Sequence, residues 1–157
     1  MNEPLHLAQL NIAVPRFPLS DPRIAPFVDA LDRVNAIAER SDGFVWRLKG
    51  DGHGPSDHLL PGEPDAIVNM SVWRDLDSLQ RFVFTTVHRR FFDRKADWFA
   101  PREAPDFVMW WVPAGSRPTL EEAADRLAYR RINGSTDRAF GWDHISPKRW
   151  LGEVVDG

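Results

Sequence analysis

The sequence predicts an α+β domain of ferredoxin-like order, β-α-β-β-α-β, with one further helix behind it. Three observations carry this. Four short segments alternate or run apolar over strand lengths. Apolar residues recur at helical spacing between the first and second of these, and again between the third and fourth. The length, 157 residues, suits one domain, and 43% apolar residues suffice for its core.

Leu5–Ala13 alternates, with Leu5, Leu7, Gln9 and Asn11 on one side and His6, Ala8, Leu10 and Ile12 on the other. Val14-Pro15-Arg16-Phe17-Pro18 ends it, because proline lacks the ladder N–H. Ser20-Asp21-Pro22 starts a helix, and Ile24, Phe27, Val28, Leu31, Val34 and Ala38 form its apolar face. Ser41-Asp42-Gly43 stops it. Phe44–Lys49 reads as the second strand, Gly50–Asp65 as a long loop and Ala66–Trp73 as the third strand. Asp75 caps a helix carrying Leu76, Leu79, Phe82 and Val83, and Thr85-Thr86-Val87 marks a kink in it. A second amphipathic piece, with Val87, Phe91 and Trp98 aligned, runs to Pro101. Phe107–Val112 is a short apolar fourth strand. Thr119-Leu120-Glu121-Glu122 is a capping box, opening a helix with Leu120, Ala123, Ala124, Leu127 and Ala128 on one face. The expected division is a domain over 1–135 and a loose, turn-rich extension over 136–157.

In this plan the sheet is antiparallel and its helices lie on one face. The other face is then bare, and a second copy or a ligand should cover it, so a homodimer is expected. The first and third strands are neighbours. Asn69, Ser71 and Trp73 share one face of the third strand with Ile67, while Val68, Met70 and Val72 share the other. The apolar set is expected under the helices. The mixed set, beside Gln9 and Asn11, is expected to line the barrel interior as a small-molecule pocket. Trp46 and Arg47 are adjacent on the second strand, and only one of them can face that interior.

His88 is the acid/base candidate, since imidazole titrates near neutrality; the plainer reading is a surface or capping histidine. Seven tryptophans serve either as core and interface or as lining of an aromatic pocket. His53 and His58, with Asp51 and Asp57, match no metal-site spacing. Arg89, Arg90, Arg94, Lys95 and Arg102 interleave with Asp93, Asp97 and Glu103, the pattern of a solvated helix face. With 20 basic and 23 acidic residues the chain shows no nucleic-acid footprint. It has no cysteine, no long apolar run and no apolar leader after Met1-Asn2-Glu3-Pro4, so a cytoplasmic protein off the membrane is expected. No phosphate loop, nucleophile elbow or paired-carboxylate signature is present, and no cofactor is expected.

Two stretches carry a family resemblance. One is Arg33-Val34-Asn35-Ala36-Ile37-Ala38-Glu39 with Ser41-Asp42-Gly43-Phe44-Val45-Trp46-Arg47-Leu48; the other is Met70-Ser71-Val72-Trp73 with His88-Arg89-Arg90-Phe91-Phe92. They resemble the antibiotic-biosynthesis-monooxygenase-like superfamily of dimeric α/β barrels. Through Trp110-Trp111-Val112-Pro113-Ala114-Gly115 and Arg117-Pro118-Thr119, the chain over about 5–140 is similar to bacterial domain-of-unknown-function family 3291. The resemblance implies a ferredoxin-like half-barrel that dimerises. Oxygenases of that superfamily use an Asn and a Trp near the third strand, and Asn69 and Trp73 stand at matching spacing, with Asn11 on the first strand. It therefore implies Asn69 and Trp73 as catalytic residues with Asn11 as a substrate contact; imidazole chemistry adds His88 to the catalytic set, and the strand faces add Gln9, Ser71, Trp46 and Arg47 as substrate contacts. Haem-degrading members carry a histidine early in the second helix, where this chain has Phe82 and Val83. The expected function is a small-molecule enzyme for a hydrophobic oxygen-bearing substrate, an oxidoreductase of the cofactor-independent monooxygenase kind. The alternative is a non-catalytic small-molecule or haem-binding protein of the same fold.

Overall fold

Four strands pair into one antiparallel sheet in the order β2-β3-β1-β4. They are β1 (Leu5–Ala13), β2 (Phe44–Arg47), β3 (Ile67–Trp73) and β4 (Phe107–Pro113). Helices α1 (Ala25–Arg40) and α2 (Leu76–Phe82) make the two crossovers of a ferredoxin-like fold. Two more among the described residues are α3 (Lys95–Trp98) and α4 (Leu120–Asn133). This computed structural model describes residues 4–18, 20–49, 60–63, 65–87, 95–101 and 105–144.

Local chemistry accounts for the joints. Asp21 accepts from the Arg23 amide at 2.8 Å and caps the 3-10 turn Pro22–Ile24 that leads into α1. Gly43, at φ 88°, turns the chain out of α1, and a Cβ there would sit 2.0 Å from Ser78 Oγ. Asp75 caps α2 by accepting from the Ser78 amide at 2.8 Å and the Ser78 hydroxyl at 2.7 Å. Those bonds, the hydroxyl first, hold its carboxyl below the usual range. The kink expected at Thr85-Thr86-Val87 takes the form of a π-helical stretch, Val83–Val87. β2 ends at Arg47 rather than Lys49, after a register shift between Phe44 and Trp46.

The layering differs from the expected single helical layer. The face bearing Leu7, Gln9 and Asn11 is called here the first face. It carries α1 and α2, whose Ala38, Leu76 and Leu79 pack with Leu7, Trp73 and Met109. The second face carries Ala8, Leu10, Met70, Val72, Val108 and Trp110, and it is not bare. Each of these residues is at most 1% exposed, because Ala123 and Leu127 of α4, with Leu60, Ala66 and Ala139, close over them. The apolar set of β3 therefore meets α4, and the mixed set meets α1 and α2. The expected assignment was the reverse. Strand alternation defines two faces without saying which helix takes which, and α4 competes for the more apolar one.

Thr119 caps α4, accepting from the Glu122 amide at 3.1 Å. The Glu122 carboxylate does not return to the cap as in a capping box; it accepts from Trp110 Nε1 at 2.8 Å and so fastens α4 to β4. The segment after α4 is not loose as far as residue 144. Phe140 exchanges backbone bonds of 2.7 and 2.9 Å with Met109, and Ala139, Phe140 and Gly141 are buried.

Leu127 fills the space between α4 and the second face. Leu127→Ala should lower the free energy of unfolding by about 2–5 kcal/mol. Ile132→Ala, on the same helix but 81% exposed, should change it by less than about 0.5 kcal/mol. Urea titrations of the two variants compare them directly.

Candidate functional site

The first face holds a connected set of uncharged polar side chains. Register places Gln9 across from Ser71 and Asn11 across from Asn69. Gln9 Nε2 donates to Asn69 Oδ1 at 2.9 Å and to Ser71 Oγ at 2.8 Å. Asn11 Nδ2 donates to Gln9 Oε1 at 3.3 Å, and Trp73 Nε1 donates to Ser71 Oγ at 2.9 Å. The chain of bonds starts at exposed Asn11, includes half-buried Asn69, and ends on buried Gln9, Ser71 and Trp73.

Aromatic rings frame this island. At one end Trp73 stacks on Phe82 at 5.1 Å and meets the edge of Phe44 at 5.5 Å. At the other end, beyond Ile67, lie Phe27, Trp98 and Phe99, with Phe27 and Phe99 edge-to-face at 4.9 Å. Beside Asn11 its register partner Phe107 stacks on Trp142 at 5.7 Å. A hydrogen-bonding patch in such surroundings is expensive unless its groups are satisfied.

The bonds leave some capacity unused. Asn69 Nδ2 and the Ser71 hydroxyl proton have no acceptor among the described residues, and Asn11 Oδ1 has no donor there. Asn69 Nδ2 and the Ser71 hydroxyl thus stay open as donor groups, and Asn11 Oδ1 as an acceptor. The five residues of the island carry no charge. Arg47, across from Ser71 on β2, shares the face but turns to Glu39 of α1 at 2.6 Å. That guanidinium holds the Glu39 carboxyl below its usual range.

Six of the expected site residues share this face: Gln9, Asn11, Asn69, Ser71, Trp73 and Arg47. Their surroundings are helices of the same chain, not a barrel interior. Trp46 lies across from Val72 and packs into the second-face core, which answers the choice between it and Arg47. His88 lies outside the described residues, as do His53, His58, Arg89, Arg90, Arg94 and Arg102. Among the described residues no group of three or more His, Asp or Glu is placed to hold a metal ion, and no helix is long and apolar enough to cross a membrane. Sequence reasoning missed Phe44, Phe82, Phe107 and Trp142 as the frame. For Phe44 and Phe107 the signal was there, an aromatic at a strand position sharing a face with the amides.

Comparison with known proteins adds a family. The model of the domain of unknown function DUF3291 matches residues 6–153. The chain belongs to this family. No protein of curated function matches it. Solved structures similar to this DUF3291 protein include a protein of unknown function from Nitrosomonas europaea. It is 13% identical, has a TM-score of 0.49, and the match covers 75% of this chain and 99% of that one. Another is SnoaB, a cofactor-independent oxygenase from Streptomyces nogalater, at 18% identity and TM-score 0.43, covering 74% and 98%. A protein from Pseudomonas aeruginosa matches at 15% identity and TM-score 0.42, covering 74% and 98%.

The island makes a thermodynamic prediction. Gln9 is 3% exposed and takes part in three of the four bonds. Gln9→Ala strips a donor from Ser71 and from Asn69 and should cost about 1–3 kcal/mol. Asn11→Ala removes one long bond at an exposed position and should cost less than about 1 kcal/mol. Chemical denaturation of both variants gives the ordering.

Proposed function

We propose that the first face binds a flat, hydrophobic, oxygen-bearing small molecule, and that the protein oxidises it without a cofactor. The observation that carries this reading is the uncharged hydrogen-bonding island with unused donors inside an aromatic frame. Neutral donors suit a ligand carbonyl or phenol, and rings suit its apolar body. An activated methylene flanked by aromatic rings loses a proton to give a stabilised carbanion, and the carbanion gives its electrons to dioxygen. One oxygen atom stays on the carbon as a carbonyl and the other leaves as water, so methylene plus dioxygen balances ketone plus water. Asn69 Nδ2 and the Ser71 hydroxyl are proposed to hold the oxygen on which negative charge builds, as oxyanion donors do. His88 is the proposed base.

A binding role without chemistry is favoured by one observation: the island contains no titratable side chain. Oxygen-electrode assays with a panel of anthrones and polyphenols separate the two. The oxygenase reading expects uptake of one dioxygen per substrate, reduced by about 10²-fold or more in Asn69→Ala. Silence across the panel, with a ligand retained at unaltered mass in native mass spectrometry, would leave the binding role in place.

The homodimer is proposed on the family resemblance alone, since the bare face that first motivated it is filled by α4. Sedimentation at micromolar concentration should give twice the 18.0 kDa chain mass, and a single 18.0 kDa species would contradict it.

A further inference from the structure

The segment after α4 is fastened more firmly than its turn-rich composition requires. Residues 134–144 run along the β4 edge of the sheet as a strap, with Phe140 packed on the first face and Ala139 on the second. Phe140 is tied to Met109 by paired backbone bonds, and Thr136 and Ala139 close a turn at 2.9 and 3.2 Å. Asp143 accepts from Ser135 Oγ at 2.7 Å and from Arg130 Nη2 at 3.1 Å, and Ser135 Oγ accepts from the Gly141 amide at 3.1 Å. Arg130 also donates to the Phe107 carbonyl, so one guanidinium joins α4, β4 and the strap. Gly141 lies on that guanidinium so closely that a Cβ would be 2.3 Å from it. The Ser135 and Arg130 bonds hold the Asp143 carboxyl below its usual range.

This clasp delivers Trp142. The indole stacks on Phe107 with the planes 14° apart, and Phe84 of the π-helical stretch meets it edge-on at 5.2 Å. Phe107 is the register partner of Asn11, the exposed end of the polar island. Trp142 therefore spans from β4 to the segment that follows α2, beside the open end of the hydrogen-bonded chain, and it is half-buried, with part of the indole open to solvent.

We infer that Trp142 is a ligand-contacting residue, forming the side wall of the first-face site and selecting for ligands with a flat apolar body. The inference rests on the proposed reading of that site as a small-molecule pocket and adds a wall that comes from outside the ferredoxin-like core. A ligand oxygen held at Asn69 and Ser71 places the rest of a planar molecule alongside Asn11 and Phe107, against the indole. The clasp then acts on the ligand through the position of Trp142, and Arg130, Ser135 and Asp143 are positioning residues.

The test uses the full chain labelled with 5-fluorotryptophan and titrated with 1,8-dihydroxyanthraquinone, a flat polyphenolic probe that does not turn over. Fluorine NMR reads each tryptophan separately, and Trp142→Phe assigns the resonance. The expected result is a saturable shift of the Trp142 resonance while that of Trp110, on the second face, stays in place. Trp142→Ala should weaken the dissociation constant at least tenfold and Trp142→Phe less than threefold. A Trp142 resonance that stays still while Asn69→Ala abolishes binding overturns the wall and leaves the pocket standing. Absence of saturable binding to the wild-type chain, or binding indifferent to Asn69→Ala, overturns the pocket and the wall with it. Should Trp142→Ala fail to fold, the wild-type titration and Trp142→Phe still decide the matter.

Discussion

A sheet of four strands has two faces to cover, and this chain covers both by itself. The helices of the two crossovers take one face, and α4 with the loop residues Leu60 and Ala66 takes the other. Much else follows from that division. The apolar alternation set, from Ala8 to Trp110, is spent on α4, where it supplies the largest block of fully buried side chains. Burial of this kind is the main favourable term in folding a domain of this size. With a separate apolar core on the second face, the first face can carry polar groups that a sole core would not tolerate.

The island on the first face is cheap only because it is internally bonded. An amide buried without partners costs several times what a made hydrogen bond contributes, so Gln9 and Ser71 make sense only together. Each of the two polar rungs of β1 and β3 faces another polar residue: Gln9 faces Ser71, and Asn11 faces Asn69. Trp73 closes the chain of bonds by giving its indole N–H to Ser71, and its ring then belongs to the aromatic frame. The arrangement is fully bonded at its buried end and solvated at Asn11, and that open end is what the proposed binding face uses.

The strands, both crossover helices and the pairing of the polar rungs could be read from the sequence. Period-two alternation located Gln9, Asn11, Asn69 and Ser71 on shared faces, and the split plan made β1 and β3 neighbours. The assignment of faces could not be read. Val68, Met70 and Val72 look equally suited to α1 or to α4, and the outcome depends on where a helix nearly 50 residues further along docks. The choice between Trp46 and Arg47 was hidden by a register shift between Phe44 and Trp46, which breaks simple alternation on a four-residue strand. The strap was illegible for a different reason. Ser135, Gly141 and Asp143 are ordinary turn residues, and only the long-range contact of Arg130 with Asp143 and Phe107 turns them into a clasp.

The neutrality of the island limits the chemistry available to it. A charged group there would be desolvated beside Trp73 and Leu7, at a cost of several kcal/mol unless paired. Arg47, a cation on that face, is accordingly drawn off to Glu39 at the rim. What remains is a set of fixed dipoles, and fixed dipoles favour charge that appears during a reaction over charge that arrives already formed. An anion bound in the ground state would be better served by an unpaired guanidinium, and the five residues of the island include none. On the proposed reading, a neutral ligand that becomes an oxyanion on losing a proton gains more from Asn69 and Ser71 as it reacts than when it first binds, which is the differential binding that accelerates a step. Those fixed dipoles are the reason the proposed ligand is one that enters as a phenol or ketone and supplies its own electrons.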